Sequence, residues 1–412
     1  MSDETTSATP LLRNLNFWLF VVNRSSNVIG IHSLTVAVGW YVYKLTGDPL
    51  DLGLIGLAQF APALVLFLFA GMAADRFDRR RIMVACNIVH GLAVASLIAL
   101  FWFELGTIWP ILGILALHGA ARSFYHTASQ AVLPNLMPRD QFPKAVAYSS
   151  SANKAAQLAG PAFGGFLIAG IGDGVYVFTL IMFLIAGISA ALISGNLKVP
   201  AKEPVNLKVI MGGFTYIWNN KIVLGAISID LIAVLFGGLM GLLPIFASDI
   251  LHVGPSGLGV MRAMPGVGSL IVGILLTQIA APRYMGPTLF FSLAVFGLSI
   301  TAFSLSETYW ISLVALGIYG AADMVSVYVR QTLVQIATPD SMRGRVSAVN
   351  AISINASNEL GDFRAGVMAG GIGTVSAVLV GGITTVAATI LWMKLFPSIR
   401  RIDRLDQIKM NA

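Results

Sequence analysis

The sequence predicts an all-α integral membrane protein: twelve transmembrane helices in two pseudo-symmetric six-helix bundles. Three observations predict it. Of 412 residues, 56% are hydrophobic and only 11% are charged. Soluble domains carry about 25% charged residues, so too few ionisable side chains exist here to cover a water-facing surface. Twelve apolar runs are long enough to cross a bilayer, which takes about 20 residues per helix. The runs of the second half also repeat features of the first at a nearly constant distance along the chain.

In the first half the runs cover residues 15–44, 51–75, 81–103, 107–134, 144–170 and 174–196. Those of the second cover 221–248, 256–279, 284–305, 308–338, 344–370 and 374–396. The mean hydropathy of the chain is +0.80. Residues 1–196 and 221–396 are thus the two expected bundles. Residues 197–220 read as a cytosolic linker with room for a surface helix, and 397–412 as a cytosolic tail. At an offset of 201, Gln130 falls on Gln331, Pro138 on Pro339, Lys144 on Arg345, Gly160 on Gly361 and Gly165 on Gly366. At 203, Gly56 falls on Gly259 and Pro62 on Pro265. Parallel repeats of this kind place a site where the repeats meet, near the midplane.

Net charge is +7 and the pI near 9.6, but the placement of the basic residues argues against nucleic acid as a partner. Arg76, Arg79, Arg80, Arg81, Arg139, Lys144, Lys198, Lys202, Lys208, Arg283, Arg343, Arg345, Arg400, Arg401, Arg404 and Lys409 all fall on one side of the expected bundle. Loops on the other side carry Asp48, Asp51, Asp173, Asp249 and Glu307. That is the positive-inside pattern, with both termini cytoplasmic. The single cysteine, Cys86, excludes an intrachain disulfide and sits in an apolar run, where packing is its expected role. The first 14 residues are mostly polar and show no cleavage site after an apolar stretch, so the first span is expected to act as an uncleaved signal.

Two motifs stand out. After the second span runs Gly71-Met-Ala-Ala-Asp75-Arg76-Phe-Asp78-Arg79-Arg80-Arg81. A carboxylate at a helix end beside a basic turn can pair with arginines and with a neighbouring helix N-terminus. The fifth span contains Gly160-Pro161-Ala-Phe-Gly164-Gly165, small residues for close helix approach around a helix-bending proline.

The first block resembles the loop motif of the major facilitator superfamily, with Asp78 where a glycine is usual. The second resembles its antiporter motif, with Ala156 in place of a leading glycine. Further likeness runs through Gly241-Leu-Leu-Pro-Ile-Phe-Ala-Ser-Asp249, Gly257-Leu-Gly259 and Asn358-Glu359-Leu-Gly361-Asp362-Phe-Arg364-Ala-Gly366. Together these resemble the drug:proton antiporter branch that includes the enterobactin exporters. The resemblance implies a bacterial inner-membrane secondary transporter, monomeric, that exports an amphiphilic small molecule such as a drug or siderophore. The proton gradient would drive it, and no cofactor is expected.

Ionisable side chains at bilayer depth are costly and mark functional positions. The resemblance implies that the first, fourth, seventh and tenth helices line the cavity. These carry Arg24 and Asn27; Arg122, with His118 and His126 one turn either way; Asp230; and Asp323 with Arg330. The repeat offsets map Asn27 onto Asp230 and Arg122 onto Asp323, so bases in one half correspond to acids in the other. Asp230 and Asp323 are the expected proton carriers, modulated by Arg24 and Arg122. The eleventh span adds Asn355, Glu359 and Asp362 on one helical face, the two acids as further candidates for proton coupling. Lys154 and Gln157 occupy the pseudo-equivalent part of the fifth, where a Lys154–Glu359 pair is expected. Arg364 is expected to snorkel outward or to meet Asp362.

Other classes find less to stand on. The chain shows no phosphate loop, no Cys/His metal spacing and no nucleophile elbow, so neither ATP-driven transport nor catalysis is expected. Metal-ion or lipid export on the same fold would use Asp230, Asp323 and Glu359 as oxygen donors, against competing arginines. A receptor or scaffold would be expected to carry an added cytosolic domain.

Overall fold

In the computed structural model, which describes residues 11–103, 107–138, 140–194, 207–278 and 284–402, all regular structure is helical. The linker up to residue 206 and the tail from 403 lie outside the described residues. So do Arg139, Lys198, Lys202, Arg283, Arg404 and Lys409 of the basic set. The helices are α1 (Leu15–Thr46), α2 (Pro49–Arg76), α3 (Arg79–Trp102), α4 (Ile108–Leu136), α5 (Phe142–Ile171), α6 (Gly174–Leu192) and α7 (Leu207–Asn219). They continue as α8 (Lys221–Gly237), α9 (Leu243–Ile245), α10 (Gly254–Gln278), α11 (Met285–Ser304), α12 (Tyr309–Ile336), α13 (Asp340–Ile372), α14 (Thr374–Leu395) and α15 (Pro397–Arg400).

Nine stretches of the described residues are long and apolar enough to cross a membrane. Helices α4, α5 and α13 are equally long, at 29, 30 and 33 residues, and fall outside that set. They are the ones that carry Arg122 and His126, Lys154 and Gln157, and Asn355, Glu359 and Asp362. Large apolar side chains such as Leu92, Phe166, Ile188, Phe291 and Val314 are more than half exposed, as lipid-facing surfaces require.

The chain forms two compact units, and their border does not follow the linker. Unit 1 comprises Met1–Ala37 and Ala61–Pro204; unit 2 comprises Val38–Phe60 and Val205–Ala412. The C-terminal end of α1 and the start of α2 therefore group with the second half of the sequence.

In unit 1, α3 packs on α4 and α6 around Phe17, Phe20, Met83, Cys86, Tyr125, Val132 and Ile193. Gly160 and Gly164 bring α5 onto α1. A Cβ on Gly160 would lie 2.7 Å from the His32 Cβ, and one on Gly164 would lie 3.0 Å from the Ser33 Cα. The Ser33 hydroxyl donates to the Gly160 carbonyl at 2.8 Å. The antiporter-like motif is thus a helix seam here.

The basic turn after α2 is structural as well. Asp78 is the N-cap of α3, its Oδ1 accepting from the Arg80 N–H at 2.9 Å. Its φ of −62° is open to any residue, which is why the customary glycine is dispensable. Arg79, only 8% exposed, donates to the Ala74 carbonyl at 3.2 Å and the Ala131 carbonyl at 2.8 Å. Arg80 reaches the Ile193 carbonyl at 2.9 Å. These arginines bind carbonyls at or near helix C-termini, where the orphan carbonyls and the dipole favour cations. Within the turn, Asp78 lies 3.7 Å from Arg80. Asp75 and Arg76 form no ion pair among the described residues of unit 1.

In unit 2, α12 packs on α10 and α11, α14 on α11, and α8 on α13 and α14. Asn220 caps α8 by accepting from the Ile222 and Val223 N–H groups, each at 3.1 Å. The preceding α7 is held down by its Tyr216 hydroxyl, which donates to the Ala337 carbonyl at 2.7 Å. Val38–Phe60 joins through Tyr43 to Asp249, Lys44 to the Ser248 hydroxyl at 2.7 Å, and Gly53 against the Phe363 backbone. The internal repeat is visible in the caps: α5 and α13 both end on a positive-φ glycine, Gly172 and Gly373, which lie the same 201 residues apart.

Gly160→Val is expected to destabilise the protein by about 1–3 kcal/mol, because the α1 backbone cannot retreat. Gly71→Ala has no neighbour within 4 Å, and a helical alanine costs less entropy than glycine. Thermal unfolding of the purified protein should show a lower midpoint for the first and an unchanged or higher one for the second.

Candidate functional site

Unit 1 contains a cavity of about 160 Å³ between α1, α4 and α5, and among its lining residues are Arg24, Asn27, Arg122, His126 and Gln157. Lys154 stands apart from this cavity: it is exposed and donates to Gln157 at 3.2 Å. Arg24 is half-buried and donates to the Ser149 hydroxyl at 3.3 Å. Asn27 donates to Asn87 at 2.9 Å, and Asn87 to the Met83 carbonyl at 2.8 Å, which fixes the inner wall. Tyr125 donates to Asn23 at 2.8 Å, and Asn23 to the Ala186 carbonyl at 2.6 Å.

His118 does not share the face of Arg122 and His126. It is buried and lies 3.0 Å from His90, Nδ1 to Nδ1, beside the Phe183 ring. The reason is helical drift: four residues turn about 400°, so His118 and His126 point roughly 80° apart. One imidazole of the pair must donate and the other accept. His126 instead faces the cavity, with its Nε2 2.7 Å from Gln130.

In unit 2 the expected seventh helix, 221–248, is broken. Helix α8 stops at Gly237; a 3₁₀ turn at Met240–Leu242, the short α9 and a π turn at Phe246–Ile250 follow. Gly238 and Gly361 allow α13 to press on the break, where a Gly361 Cβ would lie 2.7 Å from the Val234 carbonyl oxygen. A break at bilayer depth frees carbonyls on one side and N–H groups on the other, and lipid satisfies neither. Helix α13 answers both. Arg364 donates to the Leu235 carbonyl at 3.0 Å and the Phe236 carbonyl at 2.7 Å, over the Phe236 ring. Two residues away, Asp362 accepts from the Met240 and Gly241 N–H groups. Arg364 therefore turns inward onto backbone and does not snorkel.

Arg262 of α10 completes the cluster. It donates to the Met240 carbonyl at 3.1 Å and lies in the field of Asp362 and Glu359. Asp323 and Asp362 both act on Tyr319, which stacks on Phe296. Glu359 lies over Gly56, where a Cβ would be 3.1 Å from its Oε2. Asn355 is exposed and bonds back to the Ala351 carbonyl of its own helix at 2.8 Å. Sequence reasoning passes over Arg262, although a cation inside the apolar run 256–279 is a visible signal. His90, Asn23 and Asn87 carry no such signal.

The ionic partner of Asp230 within its unit is Arg330. Both are under a tenth exposed, and their neighbours Ile229 and Val329 belong to the apolar core. Arg330 is therefore packed beside that core. An isolated buried carboxylate costs several kcal/mol, so a close counter-ion decides the arrangement. Among the described residues no three His, Cys, Asp or Glu side chains gather as a metal ion would need.

Removing one member of that pair is expected to cost about 3–5 kcal/mol, through Asp230→Asn or Arg330→Met alone. The double variant Asp230→Leu/Arg330→Met should regain most of it. Thermal unfolding in detergent checks the cycle; strictly additive losses would assign the two residues independent roles.

The family described as transmembrane secretion effector matches residues 5–412. Macrolide efflux protein A of Streptococcus pyogenes is 23% identical, covering 95% of this chain and 98% of its own. The enterobactin exporter EntS of Citrobacter koseri is also 23% identical, over 92% and 91%. Among solved structures, the nucleoside transporter NupG superposes with a TM-score of 0.77 at 12% identity, covering 93% of this chain and 99% of that one. That last likeness concerns the fold alone. The helical architecture, the polar residues set at bilayer depth and a family match over nearly the whole length lead to one assignment: this chain is a transporter of the major facilitator superfamily and belongs to its transmembrane secretion effector family.

Proposed function

We propose that the chain is a proton-coupled exporter of an amphiphilic small molecule, a drug or siderophore, working by alternating access. It would act as a monomer in a bacterial inner membrane with both termini cytoplasmic. The observation that carries this reading is the cluster at the broken helix, where Asp362 and Arg262 meet two backbone N–H groups and a carbonyl. Desolvation favours the neutral form of such an acid, while the guanidinium and amides favour the anion. Moving either neighbour then changes its charge. Asp323, coupled to the same Tyr319, is the second carrier. Asp230, held by Arg330 in the core, is a lock between α8 and α12. Similarity to macrolide and enterobactin exporters along nearly the whole chain supports the outward direction.

Proteoliposomes with an imposed pH gradient test the reading against ethidium, erythromycin and a catechol siderophore. At least one compound should accumulate against its gradient with matching proton movement. Asp323→Asn and Asp362→Asn are expected to lose uphill accumulation at least tenfold while keeping downhill exchange. Normal pH-driven accumulation in both variants would remove these residues from the coupling path.

A further inference from the structure

The cavity of unit 1 is lined largely by cationic and neutral polar side chains. None of its lining residues is a carboxylate, and two of them are arginines. Arg122 is exposed to the cavity and has no hydrogen-bond partner among the described residues of its unit. Arg24 meets only the neutral Ser149 hydroxyl. Of the nearby amide oxygens, Asn23 is engaged by Tyr125 and Asn87 by Asn27, while the Asn27 Oδ1 is buried with no hydrogen-bond partner. The Nε2 of His126 is engaged by Gln130. A charged pocket recessed between helices calls for a counter-charge, and its described lining residues supply none.

Resting on the exporter reading, we propose that this cavity takes the substrate by an anionic group, a carboxylate carried on or beside an aromatic ring. Arg24 and Arg122 would meet the carboxylate oxygens with charge-assisted hydrogen bonds, the strongest kind available to them. Val28, Ile31 and Tyr125 offer the ring an apolar side of the same cavity. The size agrees: cavities of roughly 150 Å³ hold a benzene ring. A protonated amine would meet two guanidiniums and no counter-charge. A neutral amide would leave both cations unanswered. The specificity follows from the sign of the lining, which rejects the wrong charge as well as favouring the right one.

Binding of radiolabelled salicylate to the purified full-length protein in nanodiscs tests this. Salicylamide, benzylamine and sodium chloride serve as competitors. Unlabelled salicylate and benzoate are expected to displace the label, with salicylamide and benzylamine at least tenfold weaker and chloride weaker still. Arg122→Gln should remove that preference, and Arg122→Lys should keep part of it. Arg24→Gln is a second arm, read only where its unfolding midpoint matches the wild type. Three outcomes overturn the proposal: no salicylate binding, equal competition by salicylamide, benzylamine or chloride, or an intact preference in Arg122→Gln. Flux separates the two readings. Export of ethidium without carboxylate preference sinks the anion site alone. Carboxylate binding by a protein that moves nothing leaves the anion site and sinks export.

Discussion

Interrupting a helix at bilayer depth leaves peptide groups that neither lipid nor water can satisfy, and unit 2 is arranged around the answer to that constraint. Arg364 and Asp362, two residues apart on α13, take the carbonyls on one side of the break and the N–H groups on the other. Their opposite charges match the opposite partial charges at the two exposed helix ends. Gly238 and Gly361 let the backbones come close enough for both side chains to reach. Arg262 and Tyr319 lie in the field of Asp362, so the acid proposed as a proton carrier is also one needed for local structure.

The two units treat buried charge differently. In unit 2, Asp230 and Arg330 neutralise each other in the core, and Asp362 sits among donors. In unit 1 the guanidiniums Arg24 and Arg122 remain without an acidic partner of their own unit beside a cavity. Its remaining polar side chains are used as ties: Tyr125 to Asn23, Asn27 to Asn87, His90 to His118. The arginines after α2 follow the same economy of means, since they orient the chain and also satisfy carbonyls at helix ends.

The helices and the duplication are legible in the sequence because apolar periodicity and length report directly on lipid as solvent. Gly160 and Gly361 stand in register by their numbering alone. The candidate positions are legible as charges in apolar runs: Arg24, Arg122, Asp230, Asp323, Asp362. Their partners are not. Asp230 meets Arg330 on α12, one hundred residues away, because neighbourhood in a bundle is set by packing that a linear pattern does not encode. The broken seventh helix is also hidden, since Gly237-Gly238 lies in a run apolar enough to read as continuous. His118 eludes a linear reading because a four-residue step overshoots a full helical turn.

Cys86 lies 6% exposed in the core of unit 1 and is the chain's one thiol. Thiol reagents need access to the sulfur, which its burial restricts. The native protein therefore offers a nearly silent background for maleimide and spin-label chemistry. Single cysteines introduced at chosen helix ends would report separations in an otherwise unaltered chain, without the cysteine-free variant that such measurements usually begin from.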